Sequence, residues 1–161
     1  CSSDLDFDSK LECITVVSFC DNLIVNEFLT IYSARCQKLG FKLRAKALVP
    51  DRLPVESSDL TSLVANVLEN AIEAQERIPD PTKRNIQFEM SYDGRKIKLM
   101  CKNPSIVDTK FDDEGLPIST RTVPSGIGTA QIRAIAEKYS GVANFMQDNG
   151  NFVVRAVMTC L

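Results

Sequence analysis

Residues 57–77, SSDLTSLVANVLENAIEAQER, form the most regular helical pattern in the chain and decide its fold. Apolar side chains recur there every three or four positions, which is the spacing of one face of an α-helix. We expect Ser57, Ser58 or Asp59 to cap this helix and Pro79 to end it. A face this broad predicts a long helix packed against a sheet. The inward face consists of Leu60, Leu63, Val64, Val67, Leu68, Ala71, Ile72 and Gln75.

Two more helices are predicted, one on each side of this stretch. Residues 23–39 carry apolar side chains at helical spacing, with residue 21 or 22 as the cap and Gly40 as the stop. The third helix is predicted over residues 126–139 and is expected to end at Gly141.

Five strands are predicted between and after the helices, because their apolar and polar side chains tend to alternate. Asp93-Gly94 and residues 148–151 are turn signals that join two pairs of them into hairpins. A further short strand is expected at 11–19, where β-branched residues are frequent. The order of elements predicts an α+β fold, a two-layer α/β sandwich with two or three helices on one face of a mixed sheet. The five strands cover 41–49, 85–92, 96–102, 142–147 and 152–159.

Length and composition fit one globular domain. The chain has 161 residues, of which 44% are apolar and 25% charged, so we expect a domain over residues 20–161 and an N-terminal extension or edge segment over 1–19. The apolar runs are far shorter than a membrane span, and no signal peptide is expected. A net charge of −2 argues against a broad electrostatic grip on nucleic acid. The absence of histidine excludes Ser-His-Asp and Cys-His catalysis as well as histidine zinc ligands.

The six cysteines are irregularly spaced and contain no C-x-x-C pair. A disulfide framework is the alternative, but a chain of this length can build a core without one. We therefore expect reduced, mostly buried thiols.

A polar stripe on the long helix is the first candidate site. Asn66, Asn70, Glu73 and Arg77 lie on one side, about 140° from the centre of the apolar face. Amide oxygens that point the same way along a helix can ligate a hard cation such as Mg²⁺. The alternative is an ordinary solvated face.

A glycine pair at the start of the third helix is the second candidate. In Ser125-Gly126-Ile127-Gly128-Thr129 the glycines allow a ligand to approach the backbone, and a helix start attracts anions. The pattern is neither a dinucleotide fingerprint nor a P-loop. It follows a proline-containing stretch over 103–125, which is expected to be a mobile functional loop or a disordered one.

In combination these motifs resemble the GHKL ATPase superfamily, which includes gyrase, heat-shock chaperone and histidine kinase types. Asn66–Ala74, NVLENAIEA, is similar to the N-box of a sensor histidine kinase, and Gly126-Ile127-Gly128 is similar to the G2 box. The sequences of these two motifs are most similar to those of the peptide quorum-sensing kinases that work with LytTR-family regulators. The resemblance covers Cys20–Leu161 and implies the Bergerat-type ATP-binding fold, with ATP and Mg²⁺ as cofactors.

The resemblance also implies roles for individual residues. Asn70 matches the magnesium ligand, Asn66 the residue that faces the phosphates, and Glu69 is a candidate for polarising the phosphoryl acceptor. The lid matches residues 104–125. The family's D-x-G-x-G motif is replaced here by Lys102-Asn103-Pro104-Ser105, so Asn103 would accept the hydrogen bond from the adenine amino group. The remaining nucleotide contacts implied are Gly126, Ile127 and Gly128 at the phosphates and Lys110 or Arg121 as a basic clamp.

The activity implied is that of a sensor histidine kinase, which transfers the ATP γ-phosphate to a histidine. Since the chain has no histidine, the acceptor must lie on a dimerisation domain outside these residues. The expected setting is the cytoplasmic domain of a membrane-anchored, homodimeric protein with a cognate response regulator as partner and no nucleic acid. Two alternatives stay open: a degenerate nucleotide-binding or interaction module without kinase activity, and a GHKL serine kinase.

Overall fold

A computed structural model describes residues 19–118 and 127–160, with Ile127 described by its backbone alone. Three α-helices, five strands and one short 3₁₀ turn follow one another along this part of the chain. The predicted strand at 11–19 lies almost wholly outside the described residues. In chain order the elements are α1 (Leu23–Lys38), β1 (Leu43–Leu48), α2 (Ser57–Glu76), the 3₁₀ turn (Pro81–Lys83), β2 (Ile86–Tyr92), β3 (Lys96–Pro104), α3 (Ile127–Lys138), β4 (Val142–Asp148) and β5 (Asn151–Thr159).

The strands form one mixed sheet in the order β1-β2-β3-β5-β4. β1 and β2 run parallel, and all the other neighbours run antiparallel. The long helix α2 packs against α1, α3 and strand β3, while α1 contacts β1 and α3 contacts β4 and β5. The helices therefore form one layer and the sheet the other, which confirms the predicted two-layer α+β sandwich.

The core lies between these two layers. All eight residues predicted for the inward face of α2 are buried. Along the strands, buried and accessible positions alternate, so that Phe88, Leu99 and Val154 point toward the helices. Burial of these large apolar side chains is the main favourable term that holds α2 against the sheet.

The helix starts differ from prediction in one case. Asn22 caps α1 as expected, because its Oδ1 accepts a hydrogen bond from the Val25 N–H at 3.1 Å. For α2 the prediction is wrong: Glu56 occupies the cap position without a side-chain hydrogen bond, and residues 57–59 lie inside the helix. The reason is that the Asp59 carboxylate is used elsewhere, in contacts with the end of α3.

The helix ends are also instructive. Gly40 follows α1 with φ +84°, a conformation that favours glycine, as predicted. After α3, however, Ser140 adopts the left-handed conformation at φ 55°. Gly141 is needed for a different reason: a Cβ there would lie 1.8 Å from the Val157 carbonyl oxygen. Gly141 nevertheless closes the end of the helix as predicted, because its N–H donates to the Ala136 carbonyl oxygen at 2.8 Å, and the same glycine allows close packing against β5.

The two predicted hairpins are present. Tyr92 and Lys96 flank the first turn, in which the Asp93 carboxylate accepts hydrogen bonds from two backbone N–H groups. The second turns through Asn149 and Gly150, both at positive φ. Such turns match the right-handed twist of the paired strands.

Four of the six cysteines lie in the described part of the chain, and all four are free. Three of them are buried, and burial raises the pKa of Cys36 and of Cys101 to about 12. These thiols are protonated at neutral pH, in line with the expectation of reduced, buried cysteines. Among the described residues, no helix combines the length and the apolar character that a bilayer span requires.

Candidate functional site

Asn66 on α2 and Gly128 on α3 lie in direct contact. A Cβ placed on Gly128 would come within 3.2 Å of the Asn66 Oδ1 atom, so the absent side chain is what lets the two groups meet. The Asn66 Nδ2 atom donates to Ser62 Oγ and to Gln131 Oε1, each at 3.2 Å. The two motifs singled out in the sequence, 62 positions apart, are thus neighbours in the fold.

Asn70 lies one helical turn further along α2. Its side chain is half-buried and forms no hydrogen bond with any described residue. Among residues 19–118 and 127–160 no three Cys, Asp or Glu side chains gather around a common point. An amide oxygen, water and ligand phosphates are donors that suit Mg²⁺, which commonly takes few protein ligands. Asn70 therefore fits the chemistry of a magnesium ligand.

Asn103 lies near the end of β3, facing the helices, and is only 2% exposed. Its Nδ2 atom donates to the Pro104 carbonyl oxygen at 2.9 Å, which fixes the amide orientation and turns Oδ1 into the remaining acceptor. No fully buried side-chain nitrogen or oxygen in the described chain lacks a partner. The Asn103 Oδ1 atom accepts no hydrogen bond from a described residue, so it is not fully buried and solvent or a ligand can reach it. Asn103 thus presents an acceptor where the sequence predicts recognition of an amino group.

Gln75 holds this end of the site together. It is fully buried, donates from Nε2 to the Pro104 carbonyl at 3.1 Å, and accepts at Oε1 from the Asn85 N–H at 3.0 Å. Nine residues separate Gln75 from Asn66 along α2, which corresponds to about 13 Å at the usual helical rise. The amide acceptor at β3 and the glycine contact at α3 are therefore spread along α2, an arrangement that suits an elongated ligand.

Glu69 is held on the α1 side of α2. Its Oε2 atom lies 2.7 Å from Arg35 Nη1, and the Arg35 guanidinium carbon lies 5.0 Å from the centre of the Tyr32 ring. Burial lowers the pKa of Arg35, but the hydrogen bond and charge of Glu69 outweigh it, so that pKa is raised. Both partners of the ion pair are partly exposed, so it contributes at most about 1 kcal/mol to stability. The catalytic role of Glu69 stays a prediction.

Hydrogen bonds connect the first part of the predicted lid to the rest of the fold, while the mobility expected for residues 103–125 stays a prediction. Asp112 closes a turn by accepting the N–H groups of Glu114 and Leu116, each at 2.9 Å. Gln147 on β4 accepts the Thr109 N–H at 2.6 Å. Arg133 on α3 donates to the Glu114 carbonyl oxygen. The contacts of Gln147 and Arg133 come from distant parts of the chain and connect the lid segment to β4 and α3.

The remaining predicted contacts are placed only in part. Lys110 is exposed on the ordered part of the lid. Arg121 and Gly126 lie outside the described residues, and Ile127 is described by its backbone alone, as the first residue of α3. Their roles stay predictions.

A polar cluster joins the start of α2 to the end of α3. The Asp59 carboxylate lies 2.8 Å from Lys138 Nζ and accepts the Tyr139 hydroxyl hydrogen bond at 2.6 Å. The hydrogen bond from Lys138, supported by that from Tyr139, lowers the pKa of Asp59, and the same contact raises the pKa of Lys138. The cluster braces the two helices whose contact forms the candidate site.

Sequence reasoning missed the residues that orient the site rather than contact a ligand. For Gln75 a signal was present, since an amide on an otherwise apolar helix face is expected to be hydrogen-bonded in the core. For Gln131 and Arg133 no local signal exists, because their partners lie far away in the chain.

Comparisons with known proteins agree with this fold. The catalytic domain of histidine kinase ThkA, in two nucleotide-free crystal forms, superposes with TM-scores of 0.64 and 0.66 at 15% and 17% identity. These matches cover 85% and 86% of this chain and 91% and 93% of theirs. Full-length ShkA in complex with AMPPNP matches with a TM-score of 0.59 at 16% identity, over 84% of this chain and 30% of that one. At these identities the likeness shows the fold alone. No curated protein matches the chain.

The family follows from the sequence match. Residues 55–159, which contain α2, both hairpins, the lid and α3, match the model of the GHKL domain. The match covers well over half of the chain and includes Asn66, Asn70, Asn103 and Gly128. This chain therefore belongs to the GHKL domain family.

Proposed function

We propose that this chain is the ATP-binding catalytic domain of a sensor histidine kinase, which transfers the ATP γ-phosphate to a histidine on a dimerisation domain of the same full-length protein. The observation that carries the proposal is the contact between Asn66 and Gly128, because it gathers a helix amide and a glycine-opened helix start at one place. Membership of the GHKL family and the fold shared with histidine kinase catalytic domains support it. The solved complex of ShkA with AMPPNP supports an ATP-type ligand.

Different residues would contact different parts of the ligand. Asn70 would hold Mg²⁺ through its amide oxygen, and Asn66 with the first turn of α3 would hold the phosphates. Asn103 Oδ1 would accept from the adenine amino group. Magnesium ATP supplies the transferable phosphoryl group and a cation that offsets its charge. The chain contributes by orienting the phosphates and placing hydrogen-bond donors around them.

Two interactions among the described residues bear on this assignment. The Asn66 Nδ2 donor is shared between Ser62 and Gln131, so a phosphate oxygen that binds there competes with an exposed neighbour. Glu69 is proposed to polarise the acceptor histidine, and the Arg35 ion pair fixes where its carboxylate is held.

The wider setting belongs to the same proposal. The amino-acid sequence of the N-box supports a peptide quorum-sensing kinase with a LytTR-family response regulator as partner. The full-length protein would be a homodimer anchored in the membrane by segments outside these residues, with this domain in the cytoplasm. Phosphotransfer from the labelled kinase to a receiver domain tests the choice of partner.

The second candidate function is a nucleotide-binding module that has lost catalysis. The observation that favours it is the replacement of the D-x-G-x-G motif by residues 102–105, where both glycines are missing.

One pair of experiments separates these functions. Calorimetry with ATP, ADP and GTP, each with and without Mg²⁺, measures binding; Asn70→Ala is the control that should lose the magnesium dependence. The chain is then mixed with its own dimerisation domain and labelled ATP. An acid-labile, base-stable label on that domain supports the kinase. Binding without transfer identifies the degenerate module, and an acid-stable label identifies a serine kinase.

A further inference from the structure

The face of the sheet that points away from the helices carries a concentration of positive charge. Two outward positions on the same face are acidic, Glu89 on β2 and Asp148 at the end of β4. With six exposed cations on the same face, these two carboxylates bring the formal charge of the face to +4. The whole chain has a net charge of −2, so the remainder of the chain contributes −6. Six exposed cations alternate with core residues along three strands: Arg44 and Lys46 on β1, Lys96, Lys98 and Lys102 on β3, and Arg155 on β5.

Within residues 19–118 and 127–160 no carboxylate pairs with these six cations. None of them takes part in an ion pair with a described residue, and Glu89 accepts instead from Gln87 Nε2 at 2.9 Å. Lys46 lies opposite Glu89 in the register of β1 and β2 without pairing to it. Like charges at alternate positions of one strand are about 7 Å apart and repel one another. The outer face therefore presents positive charge that can attract an anionic group.

The same face contains a depression with a volume of about 400 Å³. Its lining includes the cations Lys46, Lys98 and Arg155, the single carboxylate of Glu89, and the apolar side chains of Leu48 and Met100. Leu48 is 62% exposed. A hollow of this size can receive one or two apolar side chains of a bound segment.

The shape and composition of the face distinguish among anionic occupants. None of the side chains directed outward from the five strands is aromatic, so the face offers no stacking platform for nucleic-acid bases. A flat anionic bilayer would not enter a concave surface. A flexible acidic segment can place carboxylates at the rim and an apolar side chain in the hollow.

We propose that the outer face of the sheet is a docking surface for an acidic segment of a partner protein, in which carboxylates alternate with apolar side chains. The carboxylates meet Lys46, Lys98 and Arg155, and an apolar side chain fills the depression beside Leu48 and Met100. This surface lies on the opposite side of the sheet from the candidate nucleotide site, and the proposal does not depend on that site.

The test uses a fluorescein-labelled peptide in which glutamate alternates with leucine and phenylalanine, and a control peptide with glutamine in place of glutamate. Binding is measured by fluorescence anisotropy with the whole chain. The variant Lys98→Glu/Arg155→Glu removes two rim cations. Lys83→Glu/Arg52→Glu is the matched control, because it makes the same change in net charge at two exposed positions away from the sheet. Circular dichroism checks that each variant is folded. If Lys98→Glu/Arg155→Glu is not folded, Lys98→Gln/Arg155→Gln is used in its place.

We expect the glutamate peptide to bind and the glutamine peptide not to bind. The rim variant should weaken binding by about 10-fold or more, and the matched control by about 2-fold or less, because only the rim cations touch the peptide. Raising the ionic strength from about 0.01 to about 0.1 M shortens the Debye length from about 30 to about 10 Å and should also weaken binding.

Three results would overturn the proposal. Equal weakening in both double variants would mean that net charge alone attracts the peptide. Binding to phosphatidylserine vesicles but not to the peptide would make the face a membrane surface. Self-association that sedimentation detects in the parent and that the rim variant loses would make a second copy of the chain the occupant.

Discussion

The substitution Gly128→Ala tests the contact at the centre of the candidate site. The added Cβ would lie 3.2 Å from Asn66 Oδ1 and 3.8 Å from its Cγ, so the Asn66 amide must move by a few tenths of an ångström. Because Gly128 is the second residue of α3, alanine gains less there than the roughly 1 kcal/mol by which it is favoured over glycine in a helix interior. Overpacking usually costs about 1–3 kcal/mol, and a small shift falls at the low end of that range. The free energy of unfolding should therefore change by no more than about 1 kcal/mol.

The affinity for magnesium ATP should respond more strongly. A hydrogen bond to a charged group contributes about 1.5–3 kcal/mol, and displacing the Asn66 donor forfeits a large part of this. A loss of about 1.4 kcal/mol corresponds to 10-fold weaker binding. Gly128→Val should weaken binding further, because its branched side chain needs more space against Asn66.

A double-mutant cycle with Asn66→Ala shows whether the effect passes through Asn66. Calorimetry gives the magnesium ATP affinity of the parent, of each single variant and of the double variant. In the Asn66→Ala background the close contact is gone, so Gly128→Ala should have almost no further effect. An equal loss of affinity in both backgrounds would refute the reasoning, since Gly128 would then act without Asn66.

Four further outcomes are expected. Asn70→Ala should abolish magnesium-dependent nucleotide binding in calorimetry while leaving the melting temperature unchanged, because its side chain has no hydrogen bond in the described chain. Gln75→Leu should lower the free energy of unfolding in urea by about 1–3 kcal/mol, since it leaves a backbone N–H without its acceptor. Asn103→Asp should weaken ATP binding rather than strengthen it. The pKa of Asp59 is lowered in the folded state, so its contribution is present above its unfolded pKa and lost as the pH falls through the folded pKa. The difference in melting temperature between the parent and Asp59→Asn should therefore disappear in acid, whereas the Lys138 partner would make it persist at neutral pH.

The sequence was sufficient for the elements because their patterns are local and dense. The eight-residue apolar face of α2 and the turn signals at Asp93-Gly94 and 148–151 each determine their own structure from neighbouring residues. The order of helices and strands then leaves few ways to cover one face of a sheet. Fold class was predictable for that reason.

Features that depend on distant partners were not predictable. Asp59 was one of three residues expected to cap α2, but Lys138 and Tyr139, about 80 residues away, use its carboxylate instead. Gln147 and Arg133 hold the part of the lid up to residue 118, and the sequence indicated neither contact. A single sequence carries no record of such pairings.

Asn103 shows how a departure from the family pattern can suit its surroundings. Its Nδ2 donates to the Pro104 carbonyl at 2.9 Å, and Gln75 donates to the same oxygen from the other side. Most family members carry an aspartate at this position, which has no N–H group to donate. Because residue 103 is only 2% exposed, an ionised carboxylate there would face the carbonyl oxygen of residue 104 with little solvent to screen it. Asparagine keeps the outward oxygen as an acceptor and uses its nitrogen to satisfy the backbone. Asparagine at position 103 therefore suits the backbone carbonyl oxygen of residue 104, and compared with aspartate it provides an uncharged acceptor.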